Sequence, residues 1–161
     1  STDAAYGRLL ERLGTGWDRT VVITLSDHDQ ETIVDQTAVP LVDALDAFPD
    51  LHGVTEGTGA LLHGRVDATA LHTLLAVPGV GGAERLSDDV WMFWTEAGRR
   101  FDEAPVPLLG QHGSPRCRTQ VAIVSGGDPR ARSLGRRVAS STPAALDWAP
   151  TVARLLGVGE R

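Results

Sequence analysis

The chain has 161 residues, 42% of them hydrophobic and 22% charged, with a formal net charge of -6. At this length a domain withdraws roughly 68–70% of its unfolded surface from water on folding, so a sizeable core is within reach and a disordered chain is excluded. Acidic and basic residues are interspersed, which provides no general field for nucleic acid or an anionic membrane, and no apolar run approaches the ~20 residues of a membrane span.

The first segment, STDAAYGRLLERLG, lacks the pattern of a signal peptide. Tyr6, Leu9, Leu10 and Leu13 recur at helical spacing, Thr2 or Asp3 can cap the helix, and Gly14-Thr15-Gly16 stops it. Organised structure from the first residues leads us to expect natural sequence upstream. Thr20 to Leu25 is a short β-branched run, read as a buried strand, and residues 38–48 form a helix with Pro40 in an early position. Val54 to Gly64 is a strand preceded by a turn. Asp67 caps a helix over ATALHTLLAV that Pro78-Gly79 ends, and a strand follows from Val90.

Residues 104–119 are a Pro-, Gly- and polar-rich loop that feeds a second short strand, Gln120 to Ser125. The stretch GDPRARSLGRR, with Arg130, Arg132, Arg136 and Arg137, reads as a solvated loop. From Thr142 a final helix is expected, with Pro150 early and Gly157 as its stop. No repeat or linker interrupts the chain, so a single domain of α/β class is expected.

Two loops carry candidate chemistry. The first apolar strand runs into Ser26-Asp27-His28, where Asp and His offer a carboxylate and an imidazole to a metal ion; a polar loop with a hydrogen-bonded aspartate accounts for the pair equally well. His112 sits between glycines in Gly110-Gln111-His112-Gly113-Ser114, again just before a strand. Arg116 and Arg118 can either steer an oxyanion toward His112 or pair with nearby acids. His52, His63 and His72 read as surface or satisfied residues, because none stands beside a second ligand type at metal spacing. Trp91 and Trp94 fall on opposite faces of their strand and read as packing residues. Cys117 has no neighbour that would make it a nucleophile, and as the single cysteine it excludes an internal disulfide framework. A soluble protein is expected, with the cytoplasm favoured.

The ordered set VVITLSDHD, GQHGSPRCRTQVAIVSGG and DWAPTVARLLGV resembles the C-terminal part of the alkaline phosphatase superfamily, most closely its type I phosphodiesterase and nucleotide pyrophosphatase branch. The resemblance covers both ends and the key loops, and the middle of the chain is diffuse. It implies a mostly parallel sheet flanked by helices, with a small α+β excursion between Asp27 and His112. It further implies that Asp27 and His28 bind one ion of a two-metal site, usually zinc, and that His112 binds the other. The substrate implied is a phosphoester or phosphoanhydride, attacked by a Thr or Ser nucleophile.

The chain departs from that pattern in two ways. Asp29 stands where the family has glycine, and can alter metal preference, contact substrate or cap a turn. The nucleophile, an early Asp ligand and an Asp-x-x-x-His pair have no counterpart here, so the chain is expected to lack catalytic residues and to need a missing N-terminal half or a second chain. The first helix resembles the family helix that follows the Asp-x-x-x-His pair. Two further readings are a noncatalytic binding or assembly domain with a vestigial metal site, and a sulfatase or phosphoglycerate-mutase-like relative.

Overall fold

The computed structural model describes residues 2–102 and 109–158, the Thr2 side chain excepted. The Thr2 cap and residues 104–108 of the expected loop therefore lie outside the described residues. In chain order the helices are α1 (Thr2–Leu13), α2 (Leu41–Ala44), α3 (Ala68–Leu75), α4 (Pro129–Ser140) and α5 (Trp148–Leu155). The strands are β1 (Val22–Leu25), β2 (Glu31–Thr32), β3 (His52–Glu56), β4 (Gly59–His63), β5 (Val80–Arg85), β6 (Val90–Thr95), β7 (Gly110–Gln111) and β8 (Ala122–Ser125). The class is mixed α/β, and no helix among the described residues is long and apolar enough to cross a membrane.

The chain groups into two compact units, Ser1–Asp27 with Gln120–Arg161, and His28–Thr119. In the first unit β1 pairs antiparallel with β8, from Val22 opposite Ser125 to Leu25 opposite Ala122. Tyr6 on α1 lies 3.3 Å from the Ser125 hydroxyl, on the face that alternation assigns to Val22 and Thr24. α4 packs against β8, with Gly135 over Val124 on the opposite face.

Three expectations change in this unit. β1, read as buried, has half-buried residues and an exposed Leu25, because a single strand flanks it. The expected parallel sheet is not seen among the described residues: every ladder is antiparallel, and the one parallel pairing is the isolated bridge Ala38–Arg100. In this unit β1 and β8 form a single antiparallel pair; the tight β3–β4 and β5–β6 connections impose the same sense in the other unit, since parallel neighbours need a long crossover.

The third correction concerns residues 129–137, which are helical, not a solvated loop. Asp128 caps the Arg130 amide at 2.9 Å, Pro129 takes the first position, and Ala131, Leu134 and Val138 give α4 an inward stripe beneath its arginines. Two hydrogen bonds from the Arg130 side chain, then its amide, hold the Asp128 carboxyl down to about 2. The folded value lies below the ordinary 3.8, so the cap contributes above that pH and is lost as pH falls toward 2. The protection of the Arg130 amide relative to its intrinsic exchange rate should therefore fall across that window in the native chain, and this acid step should vanish in Asp128→Asn, which keeps an acceptor without the charge.

The second unit is the α+β excursion. Its antiparallel sheet has the order β3-β4-β6-β5. Ala60, Leu62, Trp91 and Phe93 alternate onto one face and meet Ala70 and Leu74 of α3, with Val39, Leu41 and Leu45 closing the core. Asp67 caps α3 as expected, accepting from the Ala70 amide at 2.8 Å. Trp94 lies on the other face, against Gly82. β5 has no counterpart in the sequence reading, because Gly81 and Gly82 disguise it. A Cβ there would stand 2.5 Å from the Thr95 carbonyl oxygen or from the Trp94 ring, and the ladder shifts register between Val80 and Gly82.

Candidate metal centre

The loop after β1 carries His28, and the loop after β7 carries His112. Their rings stack with centroids 4.2 Å apart and planes inclined by 28°. Two histidines selected by motif order, far apart in sequence, thus meet in the unit His28–Thr119. The Nδ1 of His28 lies 2.8 Å from the Asp29 carbonyl oxygen. A carbonyl only accepts, so Nδ1 carries hydrogen and Nε2 holds the lone pair in the neutral ring.

Several contacts hold His112 in place. Its carbonyl accepts the Thr58 amide at 2.9 Å, and the Thr58 hydroxyl accepts the Ser114 amide at 3.1 Å. β2 pairs with β7, setting Glu31 opposite Gln111. The Glu31 carboxylate accepts the Ser114 hydroxyl at 2.6 Å and Arg116 Nε at 2.7 Å, while Arg116 Nη2 donates to the Thr95 carbonyl at 2.9 Å. Burial pulls the Glu31 carboxyl up, yet hydrogen bonds from Arg116, Ser114 and Thr58 outweigh it and leave the group below the usual carboxylate range. Cys117 is buried beside this pair, its thiol pushed up by burial and then by the Glu31 carboxylate.

The other singled-out residues are placed as follows. Asp27 belongs to the unit Ser1–Asp27 with Gln120–Arg161, is exposed, and accepts Gln120 Nε2 on its carbonyl at 2.6 Å. Asp29 takes the Gln30 amide at 2.7 Å and the Thr119 hydroxyl at 2.8 Å, which lower its carboxyl in that order. It thus caps the turn, one of the roles its departure from the family pattern leaves open. Arg116 is bound to Glu31, and Arg118 donates from Nε to the Pro115 carbonyl at 2.7 Å. His72 is exposed on α3; His52 and His63 are exposed and directly opposite in the β3–β4 register. Sequence reasoning passed over Glu31 and Thr58. Flanking glycines at 57 and 59 are the signal for Thr58, and Glu31 has none outside the fold.

Among the described residues no three His, Cys, Asp or Glu side chains form a group able to hold a metal. The structure supplies a pair of imidazoles, each able to donate one in-plane lone pair to a borderline ion. Stacked rings inclined by only 28° do not present their in-plane lone pairs as two ligands converging on one ion. Compared with family models, curated proteins and solved structures, the chain matches none.

Proposed function

We propose that the chain is part of a metal-dependent hydrolase of the alkaline phosphatase superfamily, of the phosphodiesterase and nucleotide pyrophosphatase kind, acting on phosphoester or phosphoanhydride bonds. The observation that carries this reading is the stacking of His28 on His112, the two histidines that the ordered motifs single out. His28 would hold one ion and His112 the other, and motif order alone offers Asp27 as a further ligand beside His28. Two divalent ions, zinc by the donor set, would supply Lewis-acid activation of a nucleophile and neutralise charge at phosphorus.

This chain's own residues position ligands. The Asp29 carbonyl orients the His28 ring, and Thr58, Ser114 and Glu31 hold the His112 loop. The Thr or Ser nucleophile and the remaining ligands belong to the other half of the enzyme, whose strands would complete β1 and β8 as members of a mostly parallel sheet flanked by helices. A second reading, a noncatalytic assembly domain, is favoured by the exposed Leu25, Val121 and Ile123 on and beside those strands.

Zinc binding separates the two readings. Equilibrium dialysis of the full 161-residue chain, with metal read by mass spectrometry, should show bound zinc whose affinity falls at least about tenfold in His28→Ala and in His112→Ala, since even outer partners of a metal ligand are worth that much. Hydrolysis of bis-p-nitrophenyl phosphate by the chain alone should stay at background. A chain that takes up no zinc, or whose zinc ignores both substitutions, overturns the metal reading.

A further inference from the structure

α4 and α5 leave a groove between them, within the unit Ser1–Asp27 with Gln120–Arg161, of about 370 Å³. Small-molecule pockets occupy roughly 300–1,000 Å³ and combine an apolar lining with a few convergent polar groups. The groove has that form. Leu134 and Val138 of α4, Pro143 and the buried Trp148 make its floor, and Arg137 of α4 and Arg154 of α5 stand on its rim.

These two arginines differ from their neighbour Arg130. That residue is bound to Asp128 and donates from Nη1 to the Leu155 carbonyl at 2.9 Å, tying α4 to the end of α5. Among the described residues neither Arg137 nor Arg154 has an ion-pair or hydrogen-bond partner for its guanidinium. The carboxylate in the lining, Asp147, accepts the Ala144 amide at 2.8 Å. Asp147 brings its charge to this lining but forms no ion pair with either arginine, so the groove presents two guanidinium groups whose hydrogen-bonding edges no acid among the described residues occupies.

We propose that the groove binds a small phosphomonoester with an aromatic or apolar body, its phosphate held between Arg137 and Arg154 and its body over Pro143 and Trp148. Guanidinium forks match the oxygens of phosphate, and two of them balance a dianion where a carboxylate would leave one unpaired. Small ligands gain most of their contact area from such an apolar floor. The site uses none of Asp27, His28 and His112, so it stands whether or not those residues hold metal.

Titration calorimetry of phenyl phosphate into the full chain near pH 7.5, where the phosphate is a dianion, tests it. Binding is expected, with phenol far weaker, and Arg137→Gln and Arg154→Gln should each weaken it about tenfold or more, as charge-assisted hydrogen bonds require. Both arginines are exposed, so the variants should keep the wild-type circular dichroism. Absence of binding by the wild type, equal binding by the double variant, or loss of binding on adding a chelator would overturn the proposal, the last by placing the ligand at a metal instead.

Discussion

Phe93→Ala should destabilise the unit His28–Thr119 by about 3–5 kcal/mol, the range for deleting a fully buried aromatic ring. Phe93 is 0% exposed and sits mid-strand in β6, opposite Ala60 of β4 and Ala83 of β5. Those two alanines leave room for the ring, and neither can grow into the space it vacates. The facing side chains Leu62 and Leu74 are themselves 0% exposed and packed against the same cluster, so collapse around the void is restricted. With native stabilities of roughly 5–15 kcal/mol, this one truncation consumes a large share of what holds the unit together. Denaturant unfolding followed by hydrogen exchange at β4 and β6 amides measures it. A loss under 1 kcal/mol would mean that the sheet is not packed on α3 as described.

Gly113→Ala should cost on the order of 3 kcal/mol and displace His112, through strain in a disfavoured backbone region added to a steric clash. Gly113 has φ +113°, a conformation that a side chain makes costly, and a Cβ there would stand 2.8 Å from the Gly59 nitrogen and 2.9 Å from the Glu56 oxygen. Both obstacles are backbone in the β3–β4 hairpin, so nothing yields by a rotamer change. The loop must move instead, and the bond from the Thr58 amide to the His112 carbonyl is the first casualty. Ring-proton shifts from the His28–His112 stack should collapse toward solvent values in this variant. If the stack survives while stability falls, the hairpin does not position His112.

Parts of this architecture were legible in the sequence for definite physical reasons. α3 announces itself through the Asp67 cap, the spacing of Ala70 and Leu74, and Pro78-Gly79 behind it. β1, β6 and β8 are marked by dense apolar or β-branched runs. α4 was hidden because four arginines crowd a stripe of only Ala131, Leu134 and Val138, and β5 because close approach to β6 demands glycine where a strand would show bulk. Strand direction was out of reach for β1 and β8, since the whole second unit lies between them and imposes no sense on their pairing. Motif order picked out His28 and His112, but the partners that fix the His112 loop, Thr58 and Glu31, belong to no motif and come together only through the β2–β7 and β3–β4 pairings.

Cys117 follows directly after that loop, closed in by Glu31, with its Sγ 3.8 Å from both the Glu31 carboxylate and the Gln111 carbonyl. Being the chain's single cysteine, buried and with a raised thiol, it can be alkylated only when the segment swings open, so the labelling rate acts as a clock for that opening. Its denaturant dependence separates local release from unfolding of the whole unit. Ions held by His28 and His112 would close the same segment, and the clock should then slow in proportion to their occupancy.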